Sequence, residues 1–465
     1  MKSVLFLFLF LQSSISLVRH TYEGWKLYRI WVPTEQVVED FGILYDNTLN
    51  LDYWTTLREA NQPVEVAIAE IAQPAMENMF YMINITDQTQ IEHLNKAFNK
   101  EINDMRNAPV PKKGEINFKT YHRYETIMSY LDNLSQKYGY VSVESLGKTF
   151  EGRNIKVVKI STGGNFDKPA IFIDAGLSPR EWIGPAQALY IIDYLLDKSN
   201  QNLIETVDWY ILPLVNPDGY EYSHTVQRLW KKNRAKHSEK IFGTYINRNF
   251  DVDWGNKLSK DDTESWNYHG KNPFSEPESK AIKKLIEENV GRIQLYLSIH
   301  SFGPTILYPY GFTHNQPENI KLHKYLAEKA SQAILDSSEV IYRTRASCGK
   351  KFFYSGSSID WAVGVVGIPL GYTIELPSPG YLGFDYPIAK IESVVKQFIP
   401  ALEVFHDFIK TSFYHPEEIE EEEILAVVVE NYKNDKNEEE ENVASVHKDP
   451  ELISENLNNE INDEL

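Results

Sequence analysis

Ionisable side chains stand close to the ends of three segments that the sequence predicts to be buried strands. Continuous apolar runs, typical of a sheet covered on both faces, lie at 170–174, 293–299 and 372–376. Glu181 follows the first run, His300 follows the second, and Glu375 lies inside the third. Carboxylates and imidazoles can serve as metal ligands and as general bases. Because a carboxylate such as Glu375 is costly at a buried strand end without a partner, it indicates a functional site or, alternatively, a structural ion pair.

Arginine, lysine and amide side chains make up further motifs, among them Arg228-Leu229-Trp230-Lys231-Lys232 and Asn247-Arg248. In order and spacing, the motifs resemble the zinc metallocarboxypeptidases of the carboxypeptidase A family. The resemblance covers 118–414, and residues 17–110 are similar in placement to that family's activation propeptide. The blocks that carry it are 174–183, 228–232, 246–251, 298–311, 355–361 and 372–376.

The resemblance implies one catalytic zinc, which needs about three protein ligands and an open position for water. Glu181 and His300 match two of the family's ligands. Ser178 stands where the family has its first ligand, a histidine. A neutral serine hydroxyl is a much poorer zinc ligand than imidazole. The sequence therefore predicts a zinc site that is weakened or lost.

The resemblance also assigns two catalytic roles. Glu375 matches the general base that takes a proton from the metal-bound water. Lys231 stands where the family has an arginine that stabilises the oxyanion, although a solvated surface lysine is the alternative interpretation. Lysine keeps the charge but lacks the planar fork of arginine, so stabilisation of the transition state should weaken.

Substrate recognition matches the family more fully. Asn247 and Arg248 match the pair that holds a peptide's free C-terminal carboxylate, which arginine can bind bidentately. Ile359 matches the pocket floor and favours apolar or aromatic C-terminal side chains. Phe352 stands at the position of a mobile tyrosine, unless a shorter loop puts Tyr354 there. The remaining residues expected to contact substrate are Arg180, Ser301 and Phe302, and core packing is the alternative for Phe302, Phe352 and Ile359.

Alternating strands and helices predict an α/β fold, an α/β/α sandwich around a mixed, mostly buried sheet. A small α+β domain precedes it, with strands expected at 27–32, 64–69 and 79–85. The predicted order is a signal peptide (1–16), a propeptide-like α+β domain (17–110), a linker (111–117), the metallocarboxypeptidase-like domain (118–414) and an acidic disordered tail (415–465). The linker belongs to a stretch rich in Pro, Gly and Lys that a protease could reach.

The two ends of the chain predict a compartment. Met1-Lys2, the apolar run Val4–Leu11 and the small residues that follow are typical of a secretory signal peptide. The last four residues, Asn462-Asp463-Glu464-Leu465, resemble a retrieval signal of the endoplasmic reticulum. We therefore expect a protein of the secretory pathway, in the lumen of the endoplasmic reticulum or secreted. Cys348 is the single cysteine, so no intrachain disulfide can form.

The net charge of −19 argues against nucleic acid as the main partner. Most of that charge lies in residues 416–465, which hold 18 acidic and 3 basic residues. No segment is apolar for long enough to span a membrane. Glutamate clusters can attract calcium weakly through oxygen ligands, so the tail could hold calcium or simply aid solubility.

Three functions are consistent with the sequence. The first is a pseudoenzyme that binds peptide or protein C-termini with apolar side chains, its own propeptide covering the cleft and its catalysis impaired by Ser178. The second is an active zinc carboxypeptidase, a zymogen that releases apolar or aromatic C-terminal residues. The third is a luminal calcium-buffering or chaperone-like protein.

Overall fold

The computed structural model describes residues 19–34, 36–38, 50–55, 60, 62–83, 85, 88–91, 94–163, 168–378, 383–384 and 387–416. The predicted signal peptide lies outside these ranges, as do the predicted retrieval signal and residues 417–465 of the predicted acidic tail. Within them, none of the helices has the length and apolar character that a membrane crossing requires.

The described residues between 26 and 107 form a small sheet with two helices. Its four antiparallel strands lie in the order β2-β3-β1-β4. Because side chains alternate along a strand, Tyr28, Ile30 and Val32 of β1 share one apolar cluster, whereas Leu27 faces a second cluster on the other side. The elements are β1 (Lys26–Val32), β2 (Leu51–Tyr53), β3 (Gln62–Ile68), α1 (Gln73–Met82), β4 (Gln88–Ile91) and α2 (Leu94–Asn107).

The larger domain is built around a mixed sheet of eight strands in the order β11-β10-β12-β9-β7-β8-β6-β5. Its strands are β5 (Val141–Lys148), β6 (Asn154–Ile160), β7 (Ala170–Ala175), β8 (Asp208–Leu212), β9 (Ile293–Ser301), β10 (Thr305–Tyr308), β11 (Arg343–Ala346) and β12 (Leu370–Leu376). Its helices are α3 (Tyr124–Lys137), α4 (Ile183–Leu195), α5 (Asn202–Glu205), α6 (Pro217–Thr225), α7 (Pro277–Glu287), α8 (Ile320–Ser338), α9 (Ser358–Trp361), α10 (Ile391–Gln397) and α11 (Ile399–Tyr414).

Both faces of this sheet are covered by helices, which confirms the predicted α/β/α arrangement. In β9, Leu295 and Leu297 pack into the cluster that holds α3, α4, α8, α10 and α11, whereas Tyr296 packs into the opposite cluster with α7 and α9. The central strands β12, β9, β7 and β8 run parallel to one another. Their carboxyl ends therefore meet at one edge of the sheet.

Local structure differs from the sequence prediction in several places. Residues 79–82, expected in a strand, form the last turn of α1, where Phe80 is buried and Tyr81 and Met82 are exposed. A short apolar run of this kind is compatible with a helix or with a buried strand, and here tertiary packing favours the helix. The segment 391–409 forms two helices divided at Phe398, because Pro400 fits the first turn of α11 but not a helix interior. Strands β5, β10 and β11 were not predicted.

Burial of His323 in the first turn of α8 makes stability depend on pH. This residue is fully buried, and burial lowers its pKa to about 4 despite a hydrogen bond to the Asn319 carbonyl. Since an unfolded histidine takes up its proton near pH 6.5, the stabilising contribution is complete above that pH. It is lost as the pH falls from 6.5 towards 4.

We expect the His323→Gln variant, which cannot titrate, to lose about 2 kcal/mol less unfolding free energy than the wild type between pH 7 and pH 5. Urea denaturation of both proteins at the two pH values measures this difference. An equal loss in both proteins would contradict the assignment.

Candidate active site

A tight loop between β7 and α4 carries three of the predicted site residues. Gly176 opens this loop at φ +73°, and a Cβ there would lie about 3.0 Å from the Leu214 side chain, so glycine is required. The loop is closed by backbone hydrogen bonds, including one from the Glu181 N–H to the Ser178 carbonyl at 3.3 Å. Ser178, Arg180 and Glu181 are consequently all buried at the carboxyl edge of the sheet.

The two predicted metal ligands touch each other directly. Glu181 Oε2 lies 2.9 Å from His300 Nδ1 and also accepts a hydrogen bond from the Ser301 N–H at 3.1 Å. Burial by itself lowers the pKa of His300, but the charge of Glu181 and its hydrogen bond outweigh burial, so the pKa is raised. Glu181 and His300 therefore form a buried ion pair when the imidazole is protonated.

A second buried carboxylate lies behind the imidazole. Ser298 Oγ lies 3.2 Å from His300 Nε2 and donates to Asp174 Oδ1 at 3.0 Å, and the Tyr296 hydroxyl also donates to Asp174. Burial raises the pKa of Asp174 to about 6, against these hydrogen bonds. Asp174 is the first residue of the sequence block 174–183, but the sequence assigned it no role. Its position at the end of a buried strand, the same signal that singled out Glu375, could have identified it.

These donors do not fit a zinc site. A catalytic zinc takes about three protein ligands from histidine, cysteine, aspartate and glutamate. Over the ranges that the structure covers, no group of three such residues is placed to hold a metal ion. Glu181 and His300 supply two donors, and Ser178 adds only a hydroxyl at the third position.

Glu375 lies beside this pair. It is paired with His300 in the parallel ladder between β12 and β9, so the two residues stand at the same level of the sheet. Gly303 lies beside its carboxylate at φ +136°, a conformation that glycine adopts readily. The structure thus brings the predicted base next to the predicted ligand.

Two cations lie close to the ring of Tyr245, a residue that the sequence did not single out. Lys231 Nζ lies 5.0 Å from the ring centroid and the Arg248 guanidinium carbon lies 4.9 Å from it, both within the range of a cation–π contact. Lys231 is buried and donates to Asn267 Oδ1 at 3.0 Å, so it is not a solvated surface lysine. Neither a motif nor a periodic pattern marks Tyr245 in the sequence.

The other predicted binding residues lie in two places. Asn247 Oδ1 accepts the Ser358 N–H at 2.9 Å, which ties it to the start of α9, where Ile359 is buried. Phe352 is buried in the apolar cluster of the N-terminal sheet. Tyr354 also joins that cluster, and its ring centroid lies 4.6 Å from the Arg248 guanidinium carbon. On this geometry Tyr354 is better placed than Phe352 to cover a ligand at Arg248.

The N-terminal domain reaches the site through buried ion pairs. Asp52, the middle residue of β2, accepts hydrogen bonds from Arg180 Nη1 at 2.8 and 2.6 Å. Glu101 of α2 is paired with Arg228, whose guanidinium lies 3.6 Å from the Trp182 ring. Arg180 is therefore engaged by this domain rather than open to a ligand.

Aromatic contacts reinforce the same interface. Phe302 packs edge-on against Phe384 at 5.0 Å, in a cluster that also contains Leu27 and Trp54 of the N-terminal domain. A His-x-x-Glu sequence, the spacing of two ligands in the family's zinc sites, also occurs from His122 to Glu125 at the start of α3. Its histidine contacts the Asn117 backbone and Glu125 is exposed.

Comparisons with known proteins agree with this architecture. Residues 127–401 match the zinc carboxypeptidase family model, Peptidase_M14. The chain is 33% identical to carboxypeptidase A2 of Rattus norvegicus over 389 residues, covering 82% of this chain and 91% of that protein. It is 35% identical to carboxypeptidase O of Bos taurus over 305 residues, covering 64% of this chain and 81% of that protein.

A solved structure is similar as well. The crystal structure of the carboxypeptidase A from Helicoverpa armigera matches with a TM-score of 0.78 at 30% identity, covering 84% of this chain and 99% of that one. The match therefore includes the small N-terminal sheet as well as the larger domain. The resemblance inferred from the sequence blocks is confirmed: the chain belongs to the zinc carboxypeptidase family.

Proposed function

We propose that this protein binds peptide C-termini with apolar side chains and that its peptidase activity is weak or absent. The observation that carries the proposal is the direct contact of 2.9 Å between Glu181 and His300, with Ser178 at the third ligand position. Membership of the zinc carboxypeptidase family supports the peptide-binding half of the proposal.

The expected loss of peptidase activity follows from the interactions that the zinc-ligand side chains already make. Glu181 and His300 satisfy each other, so a zinc ion would have to separate a buried pair and then find only a serine hydroxyl as third protein donor. Lys231 keeps a positive charge near the site but lacks the bidentate fork of arginine. Loss of one well-placed oxyanion donor costs about 10²–10³ in rate, and this cost adds to that of the weak metal site.

The binding half rests on residues that remain suited to a carboxylate. Arg248 is buried beside Asn247, and its Nε has no hydrogen-bond partner among the described residues. A peptide's terminal carboxylate would supply that partner with a charge-assisted bond. Ile359 provides an apolar surface for the terminal side chain.

Metal analysis tests the proposal. We expect the purified full-length protein to contain well below one zinc per chain by inductively coupled plasma mass spectrometry. The Ser178→His variant, which adds the missing imidazole, should contain more zinc under the same conditions. A stoichiometric zinc content in the wild type, together with release of phenylalanine from a blocked dipeptide, would contradict the proposal.

An active carboxypeptidase is the second candidate. The observation that favours it is the placement of Glu375 at the level of His300, next to the retained Glu181. In that case water or the Ser178 hydroxyl would complete the metal's shell. The same metal and activity measurements decide between the two candidates.

We also propose that the N-terminal domain covers the cleft as the chain's own propeptide. Asp52 forms a buried ion pair with Arg180, and Glu101 forms one with Arg228. The linker that follows α2 is exposed at Lys112 and Lys113, where a trypsin-like protease could cut. A location in the secretory pathway and calcium binding by the tail remain predictions from the sequence.

The Asp52→Asn variant should open the cleft in the uncleaved chain. Removing one partner of a buried ion pair costs about 3–5 kcal/mol, because the remaining charge stays buried. We expect at least a tenfold gain in affinity for acetyl-Ala-Ala-Phe, measured by isothermal titration calorimetry. Glu23→Gln removes an exposed charge of the same domain and is the matched control. Equal affinities of Asp52→Asn and wild type would show that this pair does not close the cleft.

A further inference from the structure

The guanidinium of Arg248 is held mainly by rings. Its central carbon lies 4.9 Å from the ring centroid of Tyr245 and 4.6 Å from that of Tyr354. Its Nη1 donates to the Asn247 carbonyl at 2.7 Å. The side chain is buried, with 8% of the residue exposed, and Nε has no hydrogen-bond partner in the part of the chain that the structure covers.

This manner of holding a guanidinium leaves its donors available. A ring attracts the cation through its face and uses none of the five N–H groups. A protein carboxylate in the place of Tyr245 would instead neutralise Arg248 and occupy its N–H edge. A buried N–H without a partner is costly, and a ligand carboxylate would remove that cost.

The same ring also contacts a second cation. Lys231 Nζ lies 5.0 Å from the Tyr245 centroid and also donates to the Asn267 side-chain oxygen. One tyrosine thus lies against both of the positive charges that the sequence assigned to anion binding.

We propose that Tyr245 is a positioning residue which, together with Tyr354, holds Arg248 ready for the C-terminal carboxylate of a peptide. This inference rests on the proposed function, since it assigns residues to the same binding site. The ring of Tyr245 carries the role and its hydroxyl does not. The Tyr245→Phe variant should therefore retain the affinity for a ligand carboxylate that the Tyr245→Leu variant loses.

The test compares two small probes that contain no bond for a peptidase to cleave. These are 3-phenylpropanoate, which has a carboxylate, and 3-phenylpropanamide, its uncharged counterpart. Calorimetry on the full-length protein, before and after trypsin cleavage of the linker, gives the ratio of acid affinity to amide affinity. A purely structural role of Tyr245 would change both affinities together and would leave this ratio unchanged.

We expect the wild type to prefer the acid at least tenfold and the Tyr245→Leu variant to lose about tenfold in acid affinity with little change for the amide. The Tyr245→Phe variant should stay within twofold of wild type. If Tyr245→Leu does not fold, Tyr354→Leu removes the second ring and should lower the ratio in the same way.

Three results separate the possible failures. A wild-type ratio in Tyr245→Leu or in a folded Tyr354→Leu would overturn the role of the rings. An equal loss in Tyr245→Phe and Tyr245→Leu would assign the effect to the hydroxyl and also overturn it. If the ratio of acid affinity to amide affinity is the same in the wild type and in the Arg248→Gln variant, the proposed binding of C-termini fails. This inference fails with it.

Discussion

The parallel register of β12, β9 and β7 is the constraint on which the site depends. Hydrogen bonding pairs Glu375 with His300 and Ile299 with Ala175, so the three strands end at the same level. The loop that leaves β7 must then turn back over this edge to enter α4. It does so through Gly176, and this turn places Glu181 against His300.

Charge balance ties the two domains together. Arg180, Lys231 and Arg248 are cations in or beside the site, and its carboxylates include Glu181, Glu375 and Asp174. Burying an unpaired charge is costly, so each cation needs a partner or a ring. The N-terminal domain supplies Asp52 to Arg180, while Tyr245 contacts Lys231 and Arg248. Removal of that domain would therefore change the electrostatics of the cleft as well as its access.

Sequence reasoning succeeded where one physical signal dominated. Continuous apolar runs located β7, β9 and β12 because strands covered on both faces need no alternation. It failed at 79–82, where the apolar run fits a helix or a strand. It also missed the edge strands β5 and β11, and β10, which lies next to β11. Tyr245 escaped notice because an aromatic side chain carries no charge and belongs to no spacing pattern. Its importance comes from the two cations that the fold brings to its ring.

The sequence by itself determined the family, the α/β/α class and the identity of the residues that could bind or react, because ordered blocks and residue types are local properties of the chain. It also determined that serine, with its weak hydroxyl donor, stands at position 178. Only the tertiary structure decided that Glu181 and His300 lie in contact, that Asp52 engages Arg180, and that Tyr245 lies close to both Lys231 and Arg248. These contacts join residues far apart in the chain, and their distances follow from strand register and domain packing rather than from spacing along the sequence.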